Sequence, residues 1–391
     1  MAATVEEHAA LVRALVEPVL PHETETVQLA EAAGRVLGGI VLSPVDLPRF
    51  RNSQMDGFAV RAADLPGPLP IVGEIPARPG SPAPLEPGTA VRIMTGAVVP
   101  DGADAVIPIE DTAVSDGRVS VLRPRAAGEY VRERGGDSRA GDELLPAGIR
   151  LSSRHLAALA AAGITTAPVR RRTRVAIITT GSELVPLGRE PGPGQIVDAN
   201  AVALHAAVRA AGAEVAFEAR VTDDAAAFRI ALDAATGAAD LVLTSGGISM
   251  GEHEVVREVL GPLGGTIGHV AMQPGGPQAT AAVDGVPVIA FPGNPVSTQL
   301  SFEVFVAPLL RSHAGLPAAR REVRLLDEPL RSVPGKRQFL RGRAVGHERV
   351  ALVSGPGSHL VAGLAASDLL LVVPEQTTEL AKGDSVETIA L

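Results

Sequence analysis

The sequence predicts an α/β multidomain protein: a helical arm carrying an inserted β-rich domain, a mostly parallel α/β domain, and a small C-terminal β domain. Three observations predict it. Residues 173–313 alternate short apolar runs with helical patterns, residues 46–142 break into β-branched runs between Pro and Gly, and the chain beyond residue 316 returns to short strands. With 391 residues the chain exceeds one ordinary core, so two to four domains of about 100–150 residues are expected. The expected division is 1–45 plus 143–172 for the arm, 46–142 for the insertion, 173–313 for the α/β domain and 314–391 for the C-terminal domain.

Composition narrows the function classes. The chain has 8 Phe, 1 Tyr and no Trp, so its cores are aliphatic and platforms for stacking single-stranded bases are scarce. A net charge of −9 argues against duplex DNA and anionic membrane surfaces as partners. The absence of Cys removes disulfides, thiolate nucleophiles and Cys-ligated metals, which fits a cytoplasmic protein. Glu6, Glu7 and His8 stand where an export signal would carry basic residues, and no apolar run reaches the ~18 residues of a membrane span.

In chain order, Leu11, Val12, Leu15, Val16 and Val19 recur at helical spacing and predict an amphipathic helix over 4–20. A short helix over 29–37 and a strand over 39–42 follow. Residues 43–148 read as a β module with tight turns, among them FRNSQMDGFAV, with Asp56 before Gly57, and RIMTGAVV, with Thr95 and Gly96. Each of these turns taken singly is better explained by an Asp or Thr side chain bonding its own backbone, and RERGGDS at 132–138 reads as a solvated charge run. A helix over 150–163 returns the chain to the scaffold. Beyond it come strands at 175–179, 214–219, 241–243 and 288–291, with helices at 199–211, 225–235, from 254, and 296–311. Residues 266–272 and 279–283 flank Pro-Gly-Gly-Pro and predict a hairpin.

The chemistry converges on loops that follow parallel strands, because ligands bind outside the carboxyl ends of such a sheet. One is TTGSEL, with Gly181, Ser182 and Glu183. Another is TSGGISMGEHE, with Ser245, Gly246, Gly247, Ser249, Glu252 and Glu254. The third is FPGNPVS, with Gly293, Asn294, Pro295 and Ser297. Glycines admit a ligand close to backbone N–H groups, hydroxyls add donors, and carboxylates bring a hard cation, so a phosphate-bearing ligand bridged by Mg²⁺ suits all three. Glu252 and Glu254 equally suit a helix dipole. Asp223, Asp224, Asp198 and Asn200 could belong to the same edge or cap helices. The sequence has no GxxxxGK[ST], no strand–GxGxxG–helix, no HExxH and no Ser elbow with His and acid.

The ordered set SQMDGFAV, RIMTGAVVPDGADAV, TTGSEL, TSGGISMGEHE, FPGNPVS, RQFLRGR and SGPGSHLVAGLA resembles the MoeA family of molybdopterin molybdenumtransferases, related to the E domain of gephyrin, over essentially the whole chain. The resemblance implies a molybdopterin-binding α/β domain and a cytoplasmic homodimer that takes adenylylated molybdopterin and molybdate as substrates. With Mg²⁺ it releases AMP as the metal enters the dithiolene, with other proteins of molybdenum cofactor biosynthesis as partners. By motif position it implies that Glu183 and the 245–254 loop hold the pterin diphosphate and Mg²⁺, Asp223 included. Asp56 and Thr95 would arrive from the partner subunit, and Arg337, Arg341 and Ser358 would line the cleft from the C-terminal domain. Asp198, Asn200, Gly293, Asn294, Pro295 and Ser297 fall among the substrate-binding positions.

Two departures from the family pattern stand out. Residues 272–277 read MQPGGP where the family usually has MKPGKP, so Gln273 and Gly276 carry no charge beside a dianion. Glu254 stands where the family usually has Asp. An alternative reading is therefore a divergent paralogue that binds molybdopterin, in a binding or scaffold role, with weak or altered metal transfer.

Overall fold

The alternation of small and branched aliphatic residues in 174–180 (RVAIITT) requires an apolar layer on each side of that strand, and the structure supplies both. The computed structural model describes residues 2–248 and 254–391. The chain divides into two compact units, Met1–Glu25 with Arg170–Leu391, and Thr26–Val169.

In the first unit the strands Glu214–Val221, Arg174–Thr180, Leu241–Ser245 and Val286–Phe291 lie parallel in that spatial order, continued by antiparallel Pro277–Val283 and Thr266–His269. Val175 and Ile177 enter one core with Leu204 and Val208 of the helix Ala199–Ala210. Ala176 and Ile178 enter the other with Phe228 and Leu232 of the helix Ala225–Ala238. Period-two side chains thus bury both faces, each large aliphatic contributing about 1.5–3 kcal/mol. The chain order reverses between Arg174–Thr180 and Leu241–Ser245, and the carboxyl ends are level: Thr180 pairs with Val221, Thr179 with Ser245, Ser245 with Phe291. That is the switch point where open α/β sheets bind ligands.

The first helix spans Val5–Val16, started by a Thr4–Glu7 capping box, and Pro18 turns the chain into a 3₁₀ segment. Its Val5, Val12 and Val16 share a core with the sheet, and His8 meets Phe305 edge-on at 4.6 Å between ring centroids. The helix expected over 296–311 is three pieces: Pro295–Ser301, a π-helical turn Phe302–Val306, and Ala307–His313. Pro308 lacks the N–H that would bond the Val304 carbonyl, which accounts for the break.

The expected hairpin is formed only in its outer part. Thr266–His269 pairs with Pro277–Val283, but Met272–Gln273 leaves to run parallel to Arg337–Val345. That strand and Arg349–Leu352, Arg321–Leu326, Ser385–Ala390 and Leu369–Val373 close into a barrel, because Leu369–Val373 pairs back onto Arg337–Val345. Leu340, Val350, Leu371 and Val386 fill its core, while Phe339 on the other face of the strand joins the core of the α/β sheet. This is the small C-terminal β domain.

In the second unit, the strand Gly57–Val60 is wholly buried within a six-stranded sheet, Phe58 and Val60 serving one core and Ala59 the other. The helix Ser153–Ala161, with Ser152 as its N-cap residue, packs with Leu37, Leu145, Leu151 and Val169. The first helix of the chain and this one therefore contribute to different cores. The short helix expected over 29–37 is only the 3₁₀ turn Leu29–Glu31. Gly34 at φ +75° turns the chain away, and Val36 and Leu37 make β-bridges to Arg150 and Val169 instead.

Candidate active site at the edge of the parallel sheet

The three glycine-bearing loops meet as backbone against backbone. A Cβ on Gly246, at φ +101°, would come within 2.4 Å of the Thr180 carbonyl, and one on Gly293 within 3.2 Å of Gly246 Cα. The Gly246 N–H donates to the Phe291 carbonyl at 3.1 Å. No side chain fits there, so the sheet edge is lined by main chain. The Gly247 carbonyl accepts from Val256 and Arg257 N–H at 3.0 and 3.2 Å, turning the loop into the helix Val255–Leu260. Glu254, at the N-cap position of that helix, makes no side-chain capping bond.

Beneath the loops runs a buried polar network. Asn200 Nδ2 donates to Ser245 Oγ at 2.8 Å and to the Gly293 carbonyl at 2.7 Å, Ser245 Oγ meets Thr298 Oγ1 at 2.9 Å, and Thr298 Oγ1 donates to the Pro292 carbonyl at 2.6 Å. Ser245 is 1% exposed and acts as a joint in this network. Asp198 caps the helix Ala199–Ala210 through Ala201 N–H at 3.0 Å and accepts from Thr179 Oγ1 at 2.6 Å. Asp224 caps the next helix through Ala227 N–H at 2.7 Å. Asp223 instead accepts from Ser182 N–H at 2.9 Å, tying two loops of the edge together.

Above this floor is a cleft of about 810 Å³. It is lined by Gly181, Glu183, Asp198, Asn200, Asp223, Gly246, Gly247, Glu254, Gln273, Gly293, Asn294, Pro295, Ser297 and Ser358. The structure thus brings together most positions expected from sequence. Ser182 is exposed and outside that lining, and Ser245 is buried beneath it. Ser249 and Glu252 lie outside the described residues. Asp56 and Thr95 belong to the other unit, where Thr95 N–H and Oγ1 donate to Asp56 Oδ1 at 2.6 and 2.7 Å. These bonds hold the Asp56 carboxyl below its ordinary range, the backbone N–H being the larger cause.

The two arginines expected at the cleft are not in its lining. Arg337 borders a separate cavity of about 410 Å³ and pairs with Glu6 and, at 2.9 Å, with Glu375. These carboxylates offer it a stronger partner than open solvent does. Arg341 is 0% exposed and donates to the loop 354–357, behind the cleft wall. Pro356, Gly357 and His359 of that wall carried no role in the sequence reading; the motif SGPGSHL held them, but only the fold shows which face the cleft.

Electrostatically the cleft is acidic. Glu183, Asp198, Asp223 and Glu254 line it, and among the described lining residues none is Lys or Arg. An anionic ligand needs an intervening cation there. Among the described residues no group of three His, Asp or Glu could hold a metal unaided. Carboxylate oxygens spread over several loops fit Mg²⁺, which is bound through one or two carboxylates plus substrate phosphates in place of a protein cage. Gln273 accepts from Gln338 Nε2 at 2.5 Å, which leaves its own amide N–H groups to the cleft. Gly276 packs against His269, where a Cβ would lie 2.8 Å from Nε2.

Comparison with known proteins bears on the whole chain. Family patterns match residues 3–163 (MoeA N-terminal region, domain I and II), 176–312 (probable molybdopterin binding domain) and 324–391 (MoeA C-terminal region, domain IV). The chain belongs to the MoeA family. Molybdopterin molybdenumtransferase 2 of Mycobacterium tuberculosis is 42% identical to this MoeA chain, covering 98% of each. Molybdopterin molybdenumtransferase of Nostoc sp. is 40% identical over 75% of this chain and 70% of its own. A solved molybdopterin biosynthesis MoeA protein from Pyrococcus horikosii superposes with a TM-score of 0.84 at 31% identity, covering 100% of this MoeA chain and 99% of that one.

Proposed function

We infer that this MoeA-family chain is a molybdopterin molybdenumtransferase: it inserts molybdate into adenylylated molybdopterin, with release of AMP, in molybdenum cofactor biosynthesis. The observation that carries the reading is the backbone-lined cleft at the carboxyl edge of the parallel sheet, in a chain whose likeness to the named transferases runs end to end. The divergent-paralogue alternative is not favoured, since Gln273 still faces the cleft with free donors.

Within this reading the chain's own groups divide the work. Gly246, Gly247 and Gly293 allow phosphate oxygens to approach main-chain donors, and Asn294, Ser297 and Ser358 add polar contacts. Glu183, Asp223 and Glu254, with Glu252, would hold Mg²⁺, which supplies neutralisation of the diphosphate in an otherwise acidic cleft. Gln273 and Ser358 contribute neutral donors to molybdate. Asp56 and Thr95 would serve the cleft of a partner copy; the proposed working form is a homodimer, and the proposed compartment is the cytoplasm. Among the described residues no helix is long and apolar enough to cross a membrane. The four-domain division 1–45 with 143–172, 46–142, 173–313 and 314–391 is proposed on the same footing.

Reconstitution with adenylylated molybdopterin, molybdate and Mg²⁺ tests the reading. AMP release that requires both metals supports it; AMP release indifferent to molybdate, or none at all, overturns it. Sedimentation of the full chain tests the dimer.

A further inference from the structure

Residues paired across neighbouring strands send their side chains to the same face of a sheet. Gln273 and Gln338 are such a pair, in the parallel ladder between Met272–Gln273 and Arg337–Val345, and their carboxamides meet at 2.5 Å. Their surroundings differ. Gln273 lines the cleft, whereas Gln338 is 1% exposed and lies outside that lining. The turn that carries Gln273 is held from a second side: the buried Gln278 donates from Nε2 to the Gly275 carbonyl and to Ser301 Oγ, each at 2.7 Å. Ser301 ends the helix Pro295–Ser301, whose Pro295 and Ser297 line the same cleft.

Which end of each amide faces which follows from what a buried end tolerates. With Gln338 Nε2 donating to Gln273 Oε1, the group left without a partner is Gln338 Oε1, an acceptor. Reversing both amides would leave a buried NH2 in its place, and orphaned donors are the rarer case. The reversal would also turn the Gln273 oxygen toward a cleft lined by Glu183, Asp198, Asp223 and Glu254, setting a partial negative charge against carboxylates. Both arguments select one arrangement. Gln273 is gripped by its oxygen, and its NH2, which has no partner among the described residues, is the end offered to the cleft.

We propose that Gln338 is a positioning residue: from outside the cleft it holds the Gln273 carboxamide with its NH2 inward, so that this wall meets an anion with oriented neutral donors in place of a mobile cation. The ligand class is a tetrahedral oxyanion. The proposal rests on the transferase reading of the cleft and deepens it, since Gln338 itself does not touch substrate. A free glutamine side chain loses rotamer freedom when it captures a ligand; a held one has lost it before the anion arrives.

The test uses the intact wild type, Gln338→Met, Gln338→Glu, Gln273→Ala and the double variant Gln273→Ala with Gln338→Met. Binding of inorganic molybdate and, separately, of adenylylated molybdopterin is measured by calorimetry, and the Gln273 side-chain amide is followed by NMR as molybdate is added. In wild type the Gln273 NH2 resonances should shift as molybdate binds; if they do not, the proposal is overturned without any variant. Gln338→Met, which keeps much of the volume and removes the grip, should weaken molybdate binding about tenfold and leave pterin binding unchanged. Gln338→Glu should weaken it further, to about a hundredfold at pH values where the new carboxylate is ionised, because an acceptor-only partner turns the Gln273 oxygen to the cleft. In the Gln273→Ala background, Gln338→Met should cost nothing more, since its effect runs through Gln273. Equal losses for both ligands, or additive losses in the double variant, would give Gln338 a merely structural role and overturn the proposal. Wild-type molybdate affinity in Gln338→Met would do the same. A wild type that binds molybdate through Gln273 but releases no AMP would defeat the transferase reading and leave the binding results to decide the role of Gln338.

Discussion

The cleft edge and the Asp56–Thr95 turn are two ways of building a polar site, and they differ in what supports them. At the cleft, glycine backbones touch and a buried network of Asn200, Ser245 and Thr298 holds three loops in register. At the turn, an exposed carboxylate accepts two bonds from one neighbouring threonine. The first kind of site is inseparable from the fold; the second can change with little effect on it. Substitutions at the cleft floor should therefore lose stability and function together, while those at the turn should separate them.

The largest effect is expected from Gly246→Val. Its Cβ would meet the Thr180 carbonyl at 2.4 Å on a backbone at φ +101°, so urea denaturation should show a loss of roughly 3–5 kcal/mol or no folded protein at all. Asn200→Leu removes two bonds of the cleft floor, leaving the Gly293 carbonyl without its Asn200 donor and Ser245 Oγ with Thr298 as its remaining partner, for an expected loss of about 1–3 kcal/mol by the same measurement. If either variant melts like wild type, the cleft floor is not the rigid element described.

Asp56→Asn should leave the melting temperature at neutral pH unchanged and lower AMP release by roughly a hundredfold. A coupled loss of stability would erase the contrast between the two sites. The depressed folded-state pKa of Asp56 means that whatever its bonds contribute is present above the unfolded carboxylate value of 3.8 and disappears as pH falls below it. An NMR titration of Asp56 in Thr95→Val should show its pKa rising toward that ordinary value. The smallest effect is expected from Gln273→Lys: a few-fold lower molybdate KM with unchanged melting, because a cation replaces a neutral donor in an acidic cleft. A higher KM would show that the amide held by Gln338 is the better ligand.

Much of this contrast was legible in the sequence, because local pattern encodes it. Each of the four strands after residue 173 has its own apolar run, the glycines mark the loops, and the carboxyl ends must share an edge once the strands are parallel. What escaped depends on partners distant in the chain. Met272–Gln273 reads as half of a hairpin until Arg337–Val345 is present to pair with it, 65 residues on. The resemblance implies that Arg337 and Arg341 line the cleft; only the fold shows that Glu6 and Glu375 engage one and the loop 354–357 engages the other. Asp198 and Asp224 look alike Asp223 in sequence, and hydrogen-bond geometry alone separates the helix caps from the residue that ties loops at the cleft.

The edge-on contact of His8 with Phe305 makes the seating of the first helix a proton-sensitive joint. Burial lowers the His8 pKa to about 4 from 6.5, so the folded chain holds the ring neutral where the unfolded chain takes up a proton. The stability that burying the neutral ring permits is complete above pH 6.5 and is withdrawn as pH falls from there to about 4, by roughly 3 kcal/mol. Acid titration of the melting temperature should slope over that window in wild type and lose much of that slope in His8→Leu. A cleft built from carboxylates at one end of the sheet would then be accompanied by an acid limit set by an imidazole outside it.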